Sequence, residues 1–319
     1  MNTAGSEKLR AWVVSEPKVG TLTQCTGVAV HFDPEPDQRI VVVRHGIKRL
    51  LAPPMFRKSE AAPDLIISCG FRPEKPVLKM QRAFGGHPLT VHLQRPEIEG
   101  YDLCFVSRHD WTPDLDDREN FHSMVGVPHR LTPERLASLE EAARSRYAPA
   151  GERVAAVFVG GSNGAYVYDD SALRRIVDAI RQLADQGWRL LVSTSRRSEQ
   201  HTFETLRALR SDTIDVWDRQ GENPYLDYVA AADAFLIAKD SITMPCEALT
   251  TGKPVYSLDL TAVPGERFAK FERYHDDLQN VLKLTRKFGG TLDAYDYTPL
   301  AETPRIAGII REALEKKRG

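Results

Sequence analysis

The sequence predicts an α/β protein of two domains, each a parallel sheet wrapped by helices. Three observations carry that prediction. Short apolar runs of strand length alternate with helical stretches along most of the chain. Several runs, 154–159 above all, are apolar without alternation, as strands buried on both faces are. The chain has 319 residues, 42% of them hydrophobic, enough for more than one core.

Taken in order, residues 9–15 read as a first strand. A loop then leads into a helix of small residues across 20–32. Residues 38–44 are a second strand, and 52–63, with three prolines, are mostly loop. A third strand, 64–70, ends in Phe71-Arg72-Pro73. The helix 74–84 is closed by Gly85-Gly86. A fourth strand, 89–93, precedes Gln94-Arg95-Pro96, and a fifth, 101–106, precedes Ser107-Arg108-His109-Asp110. Residues 112–118 read as charged loop. At Thr132-Pro133 a helix opens with proline in its first position and runs to about residue 146. Residues 147–151, YAPAG, have the composition of a domain linker.

The second half repeats the alternation more cleanly. After strand 154–159 comes an amphipathic helix, 170–186, with Leu173, Ile176, Val177, Ile180 and Leu183 on one face. Strand 189–192, helix 199–210, strand 214–217 and a helix from Asn223-Pro224 to residue 231 come next. A strand–helix–strand unit then spans 234–260. Its strand 234–238 meets the polar turn Lys239-Asp240-Ser241, and a short helix covers 243–249. Pro245 is tolerated there only because first-turn N–H groups have no helical partner. Gly252 and Pro254 stop that helix before strand 255–260. At Thr303-Pro304 a tail helix opens and runs to residue 317.

Composition excludes several classes. A formal charge of −1 gives no nucleic-acid footprint. Cys25, Cys69, Cys104 and Cys246 are far apart, with neither zinc nor redox-motif spacing, so free thiols in a reducing cytoplasm are expected. No metal site or bound cofactor is expected. The first residues read as a polar leader into a strand rather than a signal peptide, and no run reaches membrane-spanning length.

The functional signal lies in the loops after the strands of the second half. These loops are Gly160-Gly161-Ser162-Asn163-Gly164, Ser193-Thr194-Ser195-Arg196-Arg197, Asp218-Arg219-Gln220-Gly221-Glu222-Asn223 and Lys239-Asp240-Ser241-Ile242-Thr243. In a doubly wound sheet all four share the carboxyl edge, where ligands bind. Glycines, hydroxyls, an arginine pair and helix amino ends suit a phosphorylated ligand. Each feature has a plainer reading. Gly-Gly after a strand is more often a tight turn, and no Walker or GxGxxG pattern is present. Arg196-Arg197 suits a solvated face, and Glu247 a surface helical position. Their coincidence on one edge favours an anionic, nucleotide-type ligand.

At this point the sequence resembles a known family. GGSNGAYVYDD, LLVSTSRRS, the stretch 216–260 and RFAKF look like bacterial members of the mitochondrial-fission ELM family. PDLIISCGFRP, SRHD and VGVPHRLTPERL in the first half agree with this. That family is similar to glycosyltransferases of the GT-B fold, two Rossmann-like domains facing a central cleft. The resemblance implies that the second domain holds a nucleotide-sugar. The spacing Glu247, Gly252, Pro254 resembles a donor-site motif in which the glutamate bonds the ribose hydroxyls. The Gly160–Ser162 turn resembles a diphosphate loop. Two departures stand out: Pro245 occupies a position usually held by a small residue, and the first glycine-rich loop is reduced to Gly20-Thr21-Leu22-Thr23-Gln24.

The resulting expectation is an N-terminal domain of residues 1–148, a nucleotide-sugar domain of 149–285 and a tail, 286–319, packing back across the interface. The expected function is transfer of a sugar from a nucleotide-sugar to a lipid or envelope-glycan acceptor. Alternatives are a nucleotide-sugar epimerase on the same fold and a scaffold that keeps the fold without catalysis. Expected donor contacts are Gly160, Gly161, Ser162, Asn163, Ser195, Arg196, Arg197, Asn223, Asp240, Ser241, Thr243, Met244 and Glu247. A base for the acceptor hydroxyl is expected from the first domain, where His109 and Asp110 come directly after a strand. Local loop shaping is an equal alternative for that pair. Arg72 and Gln94 end neighbouring strands and are candidates for sugar or acceptor contacts, whereas His92 lies within a strand and reads as packed. Residues 53–58, PPMFRK, mix apolar and basic side chains. They are a candidate for peripheral contact with the inner membrane, though an ordinary surface loop is the weightier reading.

Overall fold

The computed structural model describes residues 9–42, 55–57 and 59–319. In chain order its first strands and helices are β1 (Ala11–Ser15), α1 (Val19–Ala29), β2 (Asp37–Ile40), β3 (Leu65–Cys69), α2 (Glu74–Ala83), β4 (Leu89–Leu93), β5 (Leu103–Ser107) and β6 (Phe121–Met124). Then come α3 (Pro133–Tyr147), β7 (Val154–Val159), β8 (Tyr166–Val167), α4 (Asp170–Asp185), β9 (Arg189–Thr194) and α5 (Gln200–Arg207). The chain continues through β10 (Ile214–Val216), α6 (Tyr225–Ala231), β11 (Ala234–Ala238), α7 (Thr243–Leu249), β12 (Val255–Leu258) and β13 (Thr261–Ala262). Last are α8 (Glu266–Asp276), β14 (Arg286–Lys287) and α9 (Glu302–Arg318).

Two compact units result: residues up to Arg130 together with Ala301–Gly319, and Leu131–Leu300. Each contains a six-stranded parallel sheet. The first has the order β2-β1-β3-β4-β5-β6, the second β10-β9-β7-β11-β12-β14. The mixed α/β class with parallel sheets is therefore the one the alternation indicates.

In the first unit β1, β3, β4 and β5 are buried along their whole length. Successive side chains point to opposite faces. Val13, Ile67, Val91 and Phe105 share one core with Cys25 and Val28 of α1 and with Ile306 and Ile310 of α9. Trp12, Val14, Ile66 and Val106 share another with Val77 and Met80 of α2. In the second unit Ala155, Val157 and Val159 meet Leu173, Ile176, Ile180 and Leu183 of α4. That helix starts where Asp169 Oδ1 accepts from Ala172 N at 2.8 Å.

Several expectations shift. The division expected near residue 148 falls at 130/131, because α3 packs with the second unit. Arg144 donates to Ala231 O and Asp233 Oδ1, both at 2.9 Å, and the Tyr147 ring meets Tyr228 edge-on at 5.1 Å. Tyr147 and Ala148, read as linker, are buried. The tail divides as well: residues 286–300 belong to the second unit, and α9 is tied into the first. Thr303 Oγ1 accepts from His129 N at 3.0 Å, and Lys317 pairs with Asp102 at 3.2 Å. Residues 20–24 are not a loop but the opening turns of α1. Strand β6, the β8–β13 ladder and α8 carried no sequence expectation of their own.

Candidate functional site

The second sheet has a switch in strand order that locates its crevice. From β7 the chain steps to β9 and β10 on one side, then returns to β11 on the other. The loops after β7 and β11 therefore part company at the carboxyl edge, the position where open α/β sheets bind ligands. Residues 160–164 and 239–242 are these two loops.

Asp240 joins them. Its side chain is fully buried. Oδ1 accepts from Tyr168 Oη at 2.6 Å, and Oδ2 accepts from Gly161 N at 3.0 Å and from Arg197 Nη2 at 3.1 Å. Asn163 Nδ2 donates to Asp240 O at 3.1 Å, while Asn163 Oδ1 accepts from Ala165 N and Tyr166 N and shapes the turn. Burial pushes the Asp240 carboxyl up, against the lowering pull of Tyr168, Gly161 and Arg197.

The glycines are explained by the same contacts. A Cβ on Gly160 would stand 1.8 Å from Asp240 Oδ2, and one on Gly161 would stand 2.2 Å from Arg197 O. Their N–H groups are also engaged. Gly160 N donates to Tyr168 Oη at 3.0 Å, Gly161 N to Asp240, and Ser162 N to Glu199 Oε1 at 3.2 Å. The sequence expected these three donors to face a diphosphate; in the structure each meets a protein oxygen.

Glu247 lies on α7, across from α6, and Tyr225 Oη donates to its Oε2. The Glu247 side chain is only partly exposed. Burial pushes its carboxyl up to about 7, against the lowering effect of the Tyr225 hydroxyl. Asn223 Oδ1 accepts from Tyr225 N at 3.0 Å and so begins α6. Ser241 is buried, and its Oγ accepts from Met244 N at 3.2 Å at the start of α7. Thr243 and Met244 are half-buried in that first turn. From behind, α8 braces the turn: Tyr274 Oη donates to Ile242 O at 2.9 Å, and His275 Nε2 donates to Lys239 O at 2.8 Å.

Cations gather round the loops. Arg196 and Arg197 are exposed, and Ser195 Oγ accepts from Arg197 N at 3.1 Å. Two further arginines escaped sequence reasoning. Arg219 adopts a left-handed backbone, φ 65°, and packs its guanidinium over the Phe203 ring at 4.2 Å. It donates to Thr194 Oγ1 at 3.2 Å and to Ser198 O at 3.0 Å, so it holds the loop after β9. Arg267, within the RFAKF stretch of α8, lies across Gly164. A Cβ there would be 2.8 Å from Arg267 Cδ and 3.7 Å from Nη1. Both lie in stretches that carry the family resemblance, Arg219 in 216–260 and Arg267 in RFAKF, but no spacing there singles them out.

The remaining candidates belong to the first unit. Residues 108–110 form a single 3₁₀ turn after β5. The His109 side chain is 3% exposed and its Nε2 stands 3.6 Å from Asp110 Oδ2, whereas Asp110 is half-buried. Arg72 is exposed and its N donates to the buried Glu16 carboxylate at 3.3 Å, and Gln94 is half-buried. His92 is a packed side chain: Nδ1 is 2.9 Å from Ser68 Oγ, and burial pushes its pKa down to about 3. Of residues 53–58, Pro53, Pro54 and Lys58 lie outside the described residues, and Met55 and Phe56 pack against the core of Trp12, Val14 and Ile66. Among the described residues no group of three or more His, Cys, Asp or Glu could hold a metal ion, and no helix is long and apolar enough to cross a membrane. All four cysteines are buried thiols.

Comparison with known proteins agrees with this architecture. A UDP-GlcNAc 2-epimerase from Methanocaldococcus jannaschii, solved with UDP-GlcNAc and UDP, superposes with TM-score 0.52 at 12% identity, covering 95% of this chain and all of that one. The glycosyltransferase of kitacinnamycin superposes with TM-score 0.50 at 17% identity, covering 98% and 94%. Two parallel α/β units of this kind are the GT-B fold, which those two proteins share. The sequence profile of the mitochondrial fission ELM1 family matches residues 19–314. The chain belongs to the mitochondrial fission ELM1 family. Mitochondrial fission protein ELM1 of Arabidopsis thaliana is 20% identical over 275 residues, which cover 79% of this chain and 64% of the plant protein. The chain thus spans less than two thirds of that relative's length.

Proposed function

We propose that the protein binds a nucleotide-sugar at the carboxyl edge of its second sheet and transfers the sugar to a lipid or envelope-glycan acceptor on the cytoplasmic side of the inner membrane. One observation carries this reading. Glu247, a half-buried residue on the helix after the switch-point loop, has its carboxylate oriented by Tyr225. A carboxylate there can accept from both ribose hydroxyls, and Arg196 and Arg267 supply positive charge for phosphates beyond it. Thr243 and Met244 line the approach from α7. UDP is the first probe, because the Methanocaldococcus epimerase was solved with it.

Acceptor activation falls to the first unit in this reading, and its components are Asp110, with His109 behind it as a positioning residue. The base removes the acceptor hydroxyl proton as that oxygen attacks the sugar's anomeric carbon and the nucleoside diphosphate leaves. Calorimetric titration with UDP, GDP and their sugars tests the donor half. Loss of about 1–3 kcal/mol of binding in Glu247→Gln supports the ribose contact. Equal affinity in the variant removes Glu247 from it. Turnover that persists in both His109→Ala and Asp110→Asn removes that pair from the mechanism.

A second reading is favoured by a specific observation: the three loop N–H groups are already satisfied within the protein. A scaffold that keeps the fold without catalysis would need nothing more from this loop. Absence of donor hydrolysis, sugar transfer and free nucleotide-sugar interconversion would establish it.

A further inference from the structure

The three occupied N–H groups are not equally committed. Gly160 N and Gly161 N are held by Tyr168 and Asp240, both buried and bonded to each other. Releasing either would leave buried polar groups unsatisfied. Ser162 N is different. Its partner Glu199 is exposed, and so is Ser162 itself.

Glu199 also stands in an unusual place for its contact. It is the residue before α5, with extended backbone, φ −60° and ψ 154°. Short polar side chains at that position, Ser, Thr, Asp or Asn, accept from N–H groups of their own helix. The Glu199 carboxylate does not cap α5, and reaches across to Ser162 N at 3.2 Å. Burial raises its pKa, but the Ser162 hydroxyl and N–H and the Arg197 charge outweigh this and keep it ionised.

We propose that Glu199 is a displaceable latch on the anion site: its carboxylate covers the Ser162 N–H, and a phosphate group of the incoming ligand expels it. The inference rests on the anionic-ligand reading of this edge. A carboxylate and a phosphate cannot share one N–H donor without strong repulsion. Once released, Glu199 can turn back to the uncapped start of α5, which offsets the lost contact. Arg197, whose backbone crowds Gly161, remains at the vacated donors, and its chain neighbour Arg196 is exposed and without an ion pair among the described residues. Arg267 remains as well, its guanidinium against Gly164. The ligand class is therefore a phosphate ester or diphosphate, whose charge replaces that of Glu199.

Calorimetric titration of wild type, Glu199→Gln and Glu199→Ala with pyrophosphate and with UDP tests this. The glutamine keeps an oxygen for Ser162 N–H and removes only the charge. Both variants are expected to bind pyrophosphate about twofold to fivefold tighter than wild type, the scale of an exposed charge contact. Unchanged or weaker pyrophosphate binding in both overturns the latch. Tighter binding in Gln with weaker binding in Ala supports it and assigns Glu199 an added role in loop shape. Pyrophosphate separates this inference from the nucleotide reading. If no nucleoside diphosphate binds any form yet Glu199→Gln gains pyrophosphate affinity, the latch stands and the nucleotide reading fails.

Discussion

Replacing Glu247 by glutamine should stabilise the protein above neutral pH while weakening its ligand. The carboxyl is raised from an ordinary 4.5 to about 7 in the folded protein. A group raised on folding favours the protonated form of the native state. Its ionisation therefore costs stability, and that cost grows as pH rises from about 4.5 and is complete above about 7. If burial were total, the difference would correspond to about 3 kcal/mol. The side chain is partly exposed, so screening reduces this to about 1–2 kcal/mol. Glutamine has no charge to desolvate, and its amide oxygen can still accept from Tyr225 Oη. Urea unfolding at pH 4.5 and pH 8 should thus show near-equal stability at the lower pH. At pH 8 the variant should lead by about 1–2 kcal/mol. Because every other carboxyl titrates alike in both proteins, the difference isolates Glu247. Tyr225→Phe supplies the opposite sign: it deletes the one bond that lowers the Glu247 carboxyl, so the pH window moves upward. A stability difference independent of pH, or a glutamine variant that is weaker throughout, would refute the reasoning.

Three further substitutions probe the loops. Gly161→Ala should lower stability by about 1–3 kcal/mol, since its Cβ would stand 2.2 Å from Arg197 O; an unchanged urea midpoint would show that the loop shifts freely. At position 219, Arg219→Gly should be more stable than Arg219→Ala by about 1 kcal/mol, because φ is 65°; equal midpoints would mean the backbone relaxes once the arginine bonds are gone. Asp240→Ala strips a buried acceptor from Tyr168, Gly161 and Arg197. It should cost about 2–4 kcal/mol in chemical unfolding, and a loss below 1 kcal/mol would argue that water takes its place.

Legibility in the sequence depends on the kind of contact that forms each feature. VAAVFV and AFLIA announce buried strands because burial on both faces removes polar alternation. The helix α4 is legible because Leu173, Ile176, Ile180 and Leu183 recur at helical spacing under an Asp169 cap. By contrast FHSM of β6 is a half-exposed edge strand without either signal. YAPAG misled for a related reason: its proline and glycine read as a linker, while Tyr147 and Ala148 are buried by packing that only the fold reveals. The Arg219 conformation has no sequence signature, since arginine is not a residue associated with positive φ.

The candidate site divides in the same way. Gly160-Gly161-Ser162 has one composition whether its donors face a phosphate or a carboxylate. The partner that decides the matter, Asp240, lies 79 residues from Gly161. What the structure adds is a partition inside the loop. Gly160 and Gly161 have no side chains because Asp240 and Arg197 occupy that space, so their substitution reports on folding. Ser162 and Gly164 face exposed partners, Glu199 and Arg267, so substitutions there report on ligand. A phosphate bound at this edge is therefore expected on the Ser162 side of the loop, toward Arg267, rather than at the Gly161 N–H. On that reasoning Arg267→Ala should weaken pyrophosphate binding with little change in the unfolding midpoint. Gly161→Ala should do the reverse.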